Sequence, residues 1–235
     1  SEILLAAPLS SLHCSLLAQA LGPFLLFYRS PEAVAFASSV RAPEVSQIGA
    51  PCPDHLIHTK HRPLAVDFDA ARDGPDELRA ALRDGVDAYS AWYQEYYERN
   101  LTDESRPFPI DPAGPRVVLI PGVGIVTSGA DASRARTARD LYRRAIAVQD
   151  AADALGGFRS LSESEAFAIE YWPLERYKLA QAPPARPGID GQAGQPEDRE
   201  RVPRQALAER RGQVVDLDPA RRDGQEAEDI AFLDR

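Results

Sequence analysis

Apolar residues recur at three- and four-residue steps over two long stretches, which predicts two amphipathic helices. From Asp76 to Asn100 the stripe is Leu78, Leu82, Val86, Tyr89, Trp92, Tyr93, Tyr96 and Tyr97. From Asp131 it runs through Ala135, Ala138, Leu141, Tyr142, Ala145, Ile146, Val148, Ala152 and Leu155, and Gly156-Gly157 stops it. Ser162-Glu163-Ser164-Glu165 is a capping-box signature for a third helix through Phe167, Ile169, Tyr171 and Leu174. Ser30-Pro31-Glu32 opens a shorter one, with a capping Ser, a Pro suited to the first position and a Glu that complements the helix dipole. Continuous apolar runs predict buried strands at Phe24 to Tyr28 and Arg116 to Ile120, and a further strand at Gly124 to Thr127 follows the turn Pro121-Gly122-Val123-Gly124. Leu101 to Pro115 is a turn-rich, proline-stiffened connection, and Pro43 to Pro63 has no period, which predicts an ordered or functional loop. Strand, turn, strand, helix, helix is the grammar of an α/β or α+β domain.

The pattern changes after Pro183-Pro184. Charge runs such as Glu197-Asp198-Arg199-Glu200-Arg201 accumulate, Phe232 is the only aromatic, and Gln213 to Asp218 is the only strand-like piece. So little apolar surface does not offset ordering entropy, so residues 181–235 are expected to be a disordered tail or the remnant of a second domain, after a domain at 1–180.

Composition narrows the function classes. With 235 residues the chain can bury a sizeable core. Its 36 acidic and 27 basic residues give a net charge of -9, which argues against nucleic acid or an anionic membrane as partner. Two cysteines, Cys14 and Cys52, exclude a disulfide framework or a four-thiolate zinc site and suit a reducing cytoplasm. The apolar stretch Ile3 to Tyr28 is interrupted by Pro8, His13, Gln19 and Pro23 and fits neither a signal peptide nor a spanning helix, so a soluble cytoplasmic protein is expected. The sequence has no Met and begins with Ser, which suggests a processed chain or a piece of a longer one.

Candidate chemistry clusters in the stretch without a period. Three of the four histidines fall in Pro51-Cys52-Pro53-Asp54-His55-Leu56-Ile57-His58-Thr59-Lys60-His61-Arg62-Pro63. Three roles fit: hydrogen bonding within the fold, contact with a substrate phosphate through Lys60 and Arg62 aided by His55 and His58, or a metal held by His55, His58 and His61. The spacing matches neither a zinc finger nor a helical metalloprotease pair. Gly122-Val123-Gly124 with Gly129 lacks both the Lys-Ser/Thr of a P-loop and the third glycine of a dinucleotide fingerprint, and a tight turn explains it. No nucleophile elbow is present, and no catalytic residue is assigned. The Tyr/Trp stripe is expected to be a packing face rather than a stacking platform, and Glu163, Glu165 and Glu170 are expected to serve capping and solvation.

Three separated segments carry a family resemblance: Gly49 to Lys60, Pro115 to Gly124, and Glu170-Tyr171-Trp172-Pro173-Leu174-Glu175 with Lys178-Leu179. Over residues 24–183 the chain resembles the bifunctional rhamnulose-1-phosphate aldolase/alcohol dehydrogenases, which fuse a class II aldolase to a short-chain dehydrogenase. The resemblance implies a class II aldolase/adducin-like three-layer α/β/α half-domain followed by a degenerate Rossmann-like or disordered tail. It implies an intact enzyme that splits a ketose 1-phosphate into dihydroxyacetone phosphate and lactaldehyde, with zinc, and oxidises or reduces the aldehyde with NAD.

The departures matter as well. The resemblance places the family's zinc-binding histidine pair upstream of Ser1, and Arg116 to Leu155 looks like a second copy of the later zinc module whose turn has no histidine, so no zinc ligand is carried over. In the tail, Leu207 to Arg210 and Val214 to Asp218 resemble the start of a Rossmann unit, which places Asp216 where a ribose-binding acid would sit. The glycine turn before them is missing, and the dehydrogenase's Tyr-x-x-x-Lys would fall beyond Arg235. The resemblance thus implies a fragment with incomplete zinc and NAD sites, a small phosphorylated sugar as ligand of the intact enzyme, and a homo-oligomer as one state. The alternative from another class is a non-catalytic adducin-like interaction or oligomerisation domain using the tyrosine-rich helix.

Overall fold

In a computed structural model the chain is described over residues 11–21, 24–181 and 229–232. The elements run α1 (Ser11–Leu21), β1 (Phe24–Tyr28), α2 (Pro31–Ala37), α3 (Ala42–Ser46), a 3-10 turn (Pro53–His55), α4 (Leu56–Thr59) and β2 (Leu64–Ala65). They continue with α5 (Pro75–Asn100), β3 (Val117–Ile120), β4 (Gly124–Gly129), α6 (Ala132–Ala154), α7 (Glu163–Glu170), α8 (Pro173–Gln181) and β5 (Asp229–Phe232). The strands form one mixed sheet in the order β2-β3-β4-β1-β5. β2 pairs parallel to β3, and every other pairing is antiparallel.

The centre of the sheet explains the layering. Every residue of β3 and β4 is buried, so both faces must be covered. Side chains alternate along β3: Val118 and Ile120 join a core with Leu17 of α1, Leu82 and Tyr93 of α5, and Phe167 of α7. Val117 and Leu119 point the other way, against Phe36 of α2 and Tyr142 and Ile146 of α6. This is the three-layer α/β/α arrangement that the resemblance implies. The β3–β4 hairpin closes through Val123 N–H donating to Ile120 O at 3.0 Å, and its Gly122 N–H donates to Ser38 Oγ of the segment after α2. Gly124 has φ +116°, and a Cβ there would lie 2.5 Å from Tyr28 O of β1.

Helix starts follow the sequence closely. Ser30 Oγ accepts from Ala33 N–H at the head of α2, and Ser162 with Glu165 forms the reciprocal box at the head of α7.

Three expectations are corrected. The stretch 43–63 contains α3, the 3-10 turn and α4; each is too short to show a period, and Pro43 and Pro53 sit at first-turn positions. The third predicted helix breaks into α7 and α8 because Trp172 precedes Pro173 and is pushed out of helical geometry, which leaves Leu174 half exposed. Val148 and Leu155, counted on the inner face of α6, are exposed at 47% and 90%: beside Val148 the buried position is Gln149, and Leu155 follows the last residue of the helix. The apolar N-terminal segment contains the helix α1. The strand-like piece at 213–218 and the Rossmann-like positions around it, Asp216 included, lie outside the described residues. β5, which the sequence did not suggest, pairs antiparallel along the edge of β1. Among the described residues no helix is long and apolar enough to cross a membrane.

Candidate functional site

The segment from His55 to Pro63 is threaded between α5, α6 and α7, and its residues go to three different places. Thr59 Oγ1 donates to His55 O and Lys60 N–H to Leu56 O, which closes α4. At Lys60 the backbone then takes φ 63° and ψ 178°, a region that residues other than glycine rarely adopt and which costs about 1–3 kcal/mol. This bend sends the Lys60 side chain inward. Its Nζ donates to Pro112 O at 2.6 Å and to Gly114 O at 2.9 Å, and it sits 3.4 Å from the centroid of the Tyr93 ring. Two carbonyls and a π face thus satisfy the three donors of an ammonium.

Tyr93 connects Lys60 to a buried carboxylate. Tyr93 Oη donates to Glu170 Oε1 at 2.6 Å, and Tyr96 Oη donates to Glu170 Oε2 at 3.2 Å. With the Tyr93 proton committed to Glu170, the Tyr171 hydroxyl donates to Tyr93 Oη at 2.9 Å and itself accepts from Asp111 N–H at 3.1 Å. Arg176 of α8 closes the outer end with a bidentate pair to Asp111 at 2.9 and 2.7 Å. Burial pulls the Lys60 ammonium down to about 7, the Glu170 charge opposing it, and pushes the Glu170 carboxyl up to about 7, with Tyr93 and Lys60 opposing. Asp111 is held below the usual carboxylate range against its burial, chiefly by Arg176.

Arg62 goes to the surface instead. Its guanidinium lies 3.8 Å above the Trp92 ring and reaches Glu163 of α7, which Arg99 also contacts at 2.8 Å. Arg62 and Trp92 line a groove of about 720 Å³ along the outer edge of β2, together with Gln47, Asp67, Asp84 and Tyr89. Its lining is mixed, with Leu64, Ala65, Ala81 and Ala88 beside these polar groups. His61, between Lys60 and Arg62, is buried with its ring parallel to that of Tyr96 at 6.0 Å. Gly49 makes room for it: a Cβ there would come within 2.8 Å of His61 Cε1.

The sequence-selected residues are therefore neighbours in the chain but not one constellation. Lys60 is buried in the network, Arg62 lines the groove, and His55 and His58 belong to the 3-10 turn and α4, both lowered by burial. Among the described residues no three His, Cys, Asp or Glu side chains come together as a metal-holding group, so His55, His58 and His61 do not fit a zinc ion as they stand. Glu170 is corrected: it is 1% exposed at the centre of the network, not a solvated or capping residue. Its signal was a carboxylate on the apolar face formed by Phe167 and Tyr171. Asp111, Arg176 and Tyr171 were missed because a hydrogen-bonded network across four elements has no spacing in the sequence.

Residues 6–179 match the family model described as Aldolase class II, second domain. A protein of Bacillus subtilis (strain 168) named Uncharacterized oxidoreductase YuxG is 47% identical over 149 residues, which cover 63% of this chain and 21% of that protein. The chain thus matches about a fifth of the length of this curated relative. No solved structure matches it.

Proposed function

Because the chain belongs to the class II aldolase second-domain family, we propose that it is the aldolase segment of a longer enzyme that joins sugar-phosphate aldol cleavage to an oxidoreductase. The family match over most of the described residues carries this reading, and the likeness to one stretch of a much longer protein named an oxidoreductase supports the fusion. In the finer form the substrate is a ketose 1-phosphate such as rhamnulose 1-phosphate. The bond between C3 and C4 breaks to give dihydroxyacetone phosphate and lactaldehyde, and an NAD-dependent short-chain dehydrogenase part acts on the aldehyde. In this reading a boundary near residue 181 divides the two parts, with β5 returning to the edge of the aldolase sheet beside β1. Class II aldolases typically use zinc, and its ligands in this reading come from outside the described residues of this chain. The groove beside β2 is the place for the sugar: Arg62 offers the charge for an anionic group, and Asp67, Asp84 and Gln47 offer hydrogen-bonding partners for hydroxyls.

The test uses the full-length protein that contains this segment. Rhamnulose 1-phosphate is supplied with zinc, and dihydroxyacetone phosphate is read by a coupled reductase. Arg62→Ala is expected to raise KM at least tenfold for the phosphorylated sugar with a smaller change in kcat. No triose phosphate from any ketose 1-phosphate, from protein shown to be folded, would refute the aldolase assignment. An unchanged KM would remove Arg62 from the site.

A second reading is a non-catalytic adducin-like interaction domain. It is favoured by one observation: Lys60, a candidate anion-binding cation, is occupied by carbonyls and a ring of its own fold. Concentration-dependent self-association measured by light scattering, without aldol activity, would select it.

A further inference from the structure

Six side-chain polar atoms among the described residues are shielded from solvent and make no hydrogen bond there. Three of them, Nδ1 of His55, Nδ1 of His61 and Oη of Tyr142, belong to residues that line one cavity of about 10 Å³. His55 and His61 come from the adjoining 3-10 turn and α4 exit, and Tyr142 comes from the middle of α6, far away in sequence. A fourth such atom, Gln149 Oε1, lies two turns further along α6, and the amide of the same side chain donates to the carbonyl of Gly49, another lining residue. Folded proteins pair almost all buried polar groups, and each one left alone costs about 1–3 kcal/mol. Chance seldom gathers several around one void of roughly a single water's size.

The geometry points to an internal water site in this cavity, with the ring nitrogens of His55 and His61 and the hydroxyl of Tyr142 as its hydrogen-bonding partners. The chemistry of the wall selects the guest. Two lining residues carry charge, but their charged ends are held elsewhere: Lys60 Nζ by Pro112 O, Gly114 O and the Tyr93 ring, and the Arg62 guanidinium by Trp92 and Glu163. Burial lowers both imidazoles and raises the Tyr142 phenol, so the three unpaired groups favour their neutral forms and offer an ion of either sign no counter-charge. An apolar guest would leave the three atoms unpaired. Water donates twice and accepts twice, and each neutral imidazole supplies a donor or an acceptor at Nδ1 according to its tautomer. The site fastens the 3-10 turn and the end of α4 to α6, and it gives this part of the histidine segment a hydrogen-bonding role within the fold. It rests on the cavity and its wall alone, independently of the aldolase reading.

Tyr142→Phe tests it, because the sign of the change separates a hydrated cavity from a dry one. With water present, the variant deprives that water of a partner, and Tm is expected to fall by about 2–4 °C. In a dry cavity the same change deletes an unsatisfied hydroxyl, so an unchanged or raised Tm would overturn the proposal. An independent readout is oxygen-17 relaxation dispersion on the wild type and on the His61→Leu, Tyr142→Phe double variant. The double variant should hold one fewer long-lived internal water, and an equal count in a folded variant would overturn the site. In crystals of the chain, density 2.7–3.2 Å from His61 Nδ1 and Tyr142 Oη is expected. A zinc anomalous peak there after soaking with zinc chloride would also overturn it.

Discussion

Lys60→Met is the most informative perturbation of the buried network, because it keeps an unbranched stem as far as the ε position and removes the ammonium with its charge and donors. Three groups lose their partner at once: Pro112 O, Gly114 O and the face of Tyr93. Glu170, fully buried, keeps the hydroxyls of Tyr93 and Tyr96 but loses the cation that offsets its charge. Breaking one side of a buried charge pair costs about 3–5 kcal/mol, and in a domain of this size that lowers Tm by roughly 6–20 °C. Glu170→Gln is expected to destabilise for the mirror reason. The double variant Lys60→Met, Glu170→Gln leaves no unpaired buried charge, so its loss should be smaller than the sum of the singles by about 0.5–3 kcal/mol. Urea denaturation followed by Trp92 and Trp172 fluorescence measures all four proteins.

The pH profile supplies a second readout of the same pair. The folded state holds fewer protons at Lys60 than the unfolded chain between about 7 and 10.5, so this group makes stability rise with pH across that window. It holds more at Glu170 between 4.5 and about 7, so this group makes stability fall as pH rises there. The difference between wild type and double variant should therefore show a dip near pH 7. Additive single losses with a flat difference profile would refute the coupling of the two charges.

The remaining predictions probe the frame around the site. Gly124→Ala should cost about 3 kcal/mol or more, since the residue has φ +116° and its Cβ would strike Tyr28 O at 2.5 Å. Gly156→Ala has a similar φ but nothing within 4 Å, so in chemical denaturation it should cost clearly less; equal losses would show that the β1–β4 contact is not the limiting feature. Asp111→Asn removes the charge that holds Arg176 and should loosen α8 first. Hydrogen exchange of α8 amides is expected to rise at least tenfold while β3 and β4 amides change little, and uniform acceleration would contradict local docking.

Much of the frame was legible because it is written in short-range signals. The caps at Ser30 and Ser162, the continuous apolar run of β3 and the glycines of the β3–β4 turn each act within a few residues and need no partner to be recognised. The stripe on α5 was read correctly as a packing face. What the period could not show is that all four of its tyrosines also act as hydrogen-bond donors, Tyr89 to Arg62 O, Tyr93 and Tyr96 to Glu170, and Tyr97 to Phe108 O. The site itself was legible only as a neighbourhood. The segment His55 to Pro63 is where the chemistry lies, but a single left-handed residue, Lys60, decides which side chain turns inward and which reaches the groove.

That strained residue ties the parts together. A glycine at position 60 would adopt φ 63° without cost, yet it would supply neither the ammonium for Pro112 and Gly114 nor a charge for Glu170. Through these contacts the proline-rich stretch 101–115 is anchored to α4, and through Tyr93, Glu170 and Tyr171 the anchor extends to α5 and α7. The next turn of the chain places His61 against Tyr96 and Arg62 against Trp92, so the groove wall inherits its position from the buried ammonium beneath it. Lys60→Gly therefore separates the two contributions: it relieves the backbone and removes the anchor. If the anchor dominates, the variant is less stable than wild type and its Trp92 fluorescence shifts as Arg62 loses its seat. If backbone relief dominates, stability rises and the Trp92 environment is unchanged, which would reduce Lys60 to a tolerated strain and detach the groove from the network.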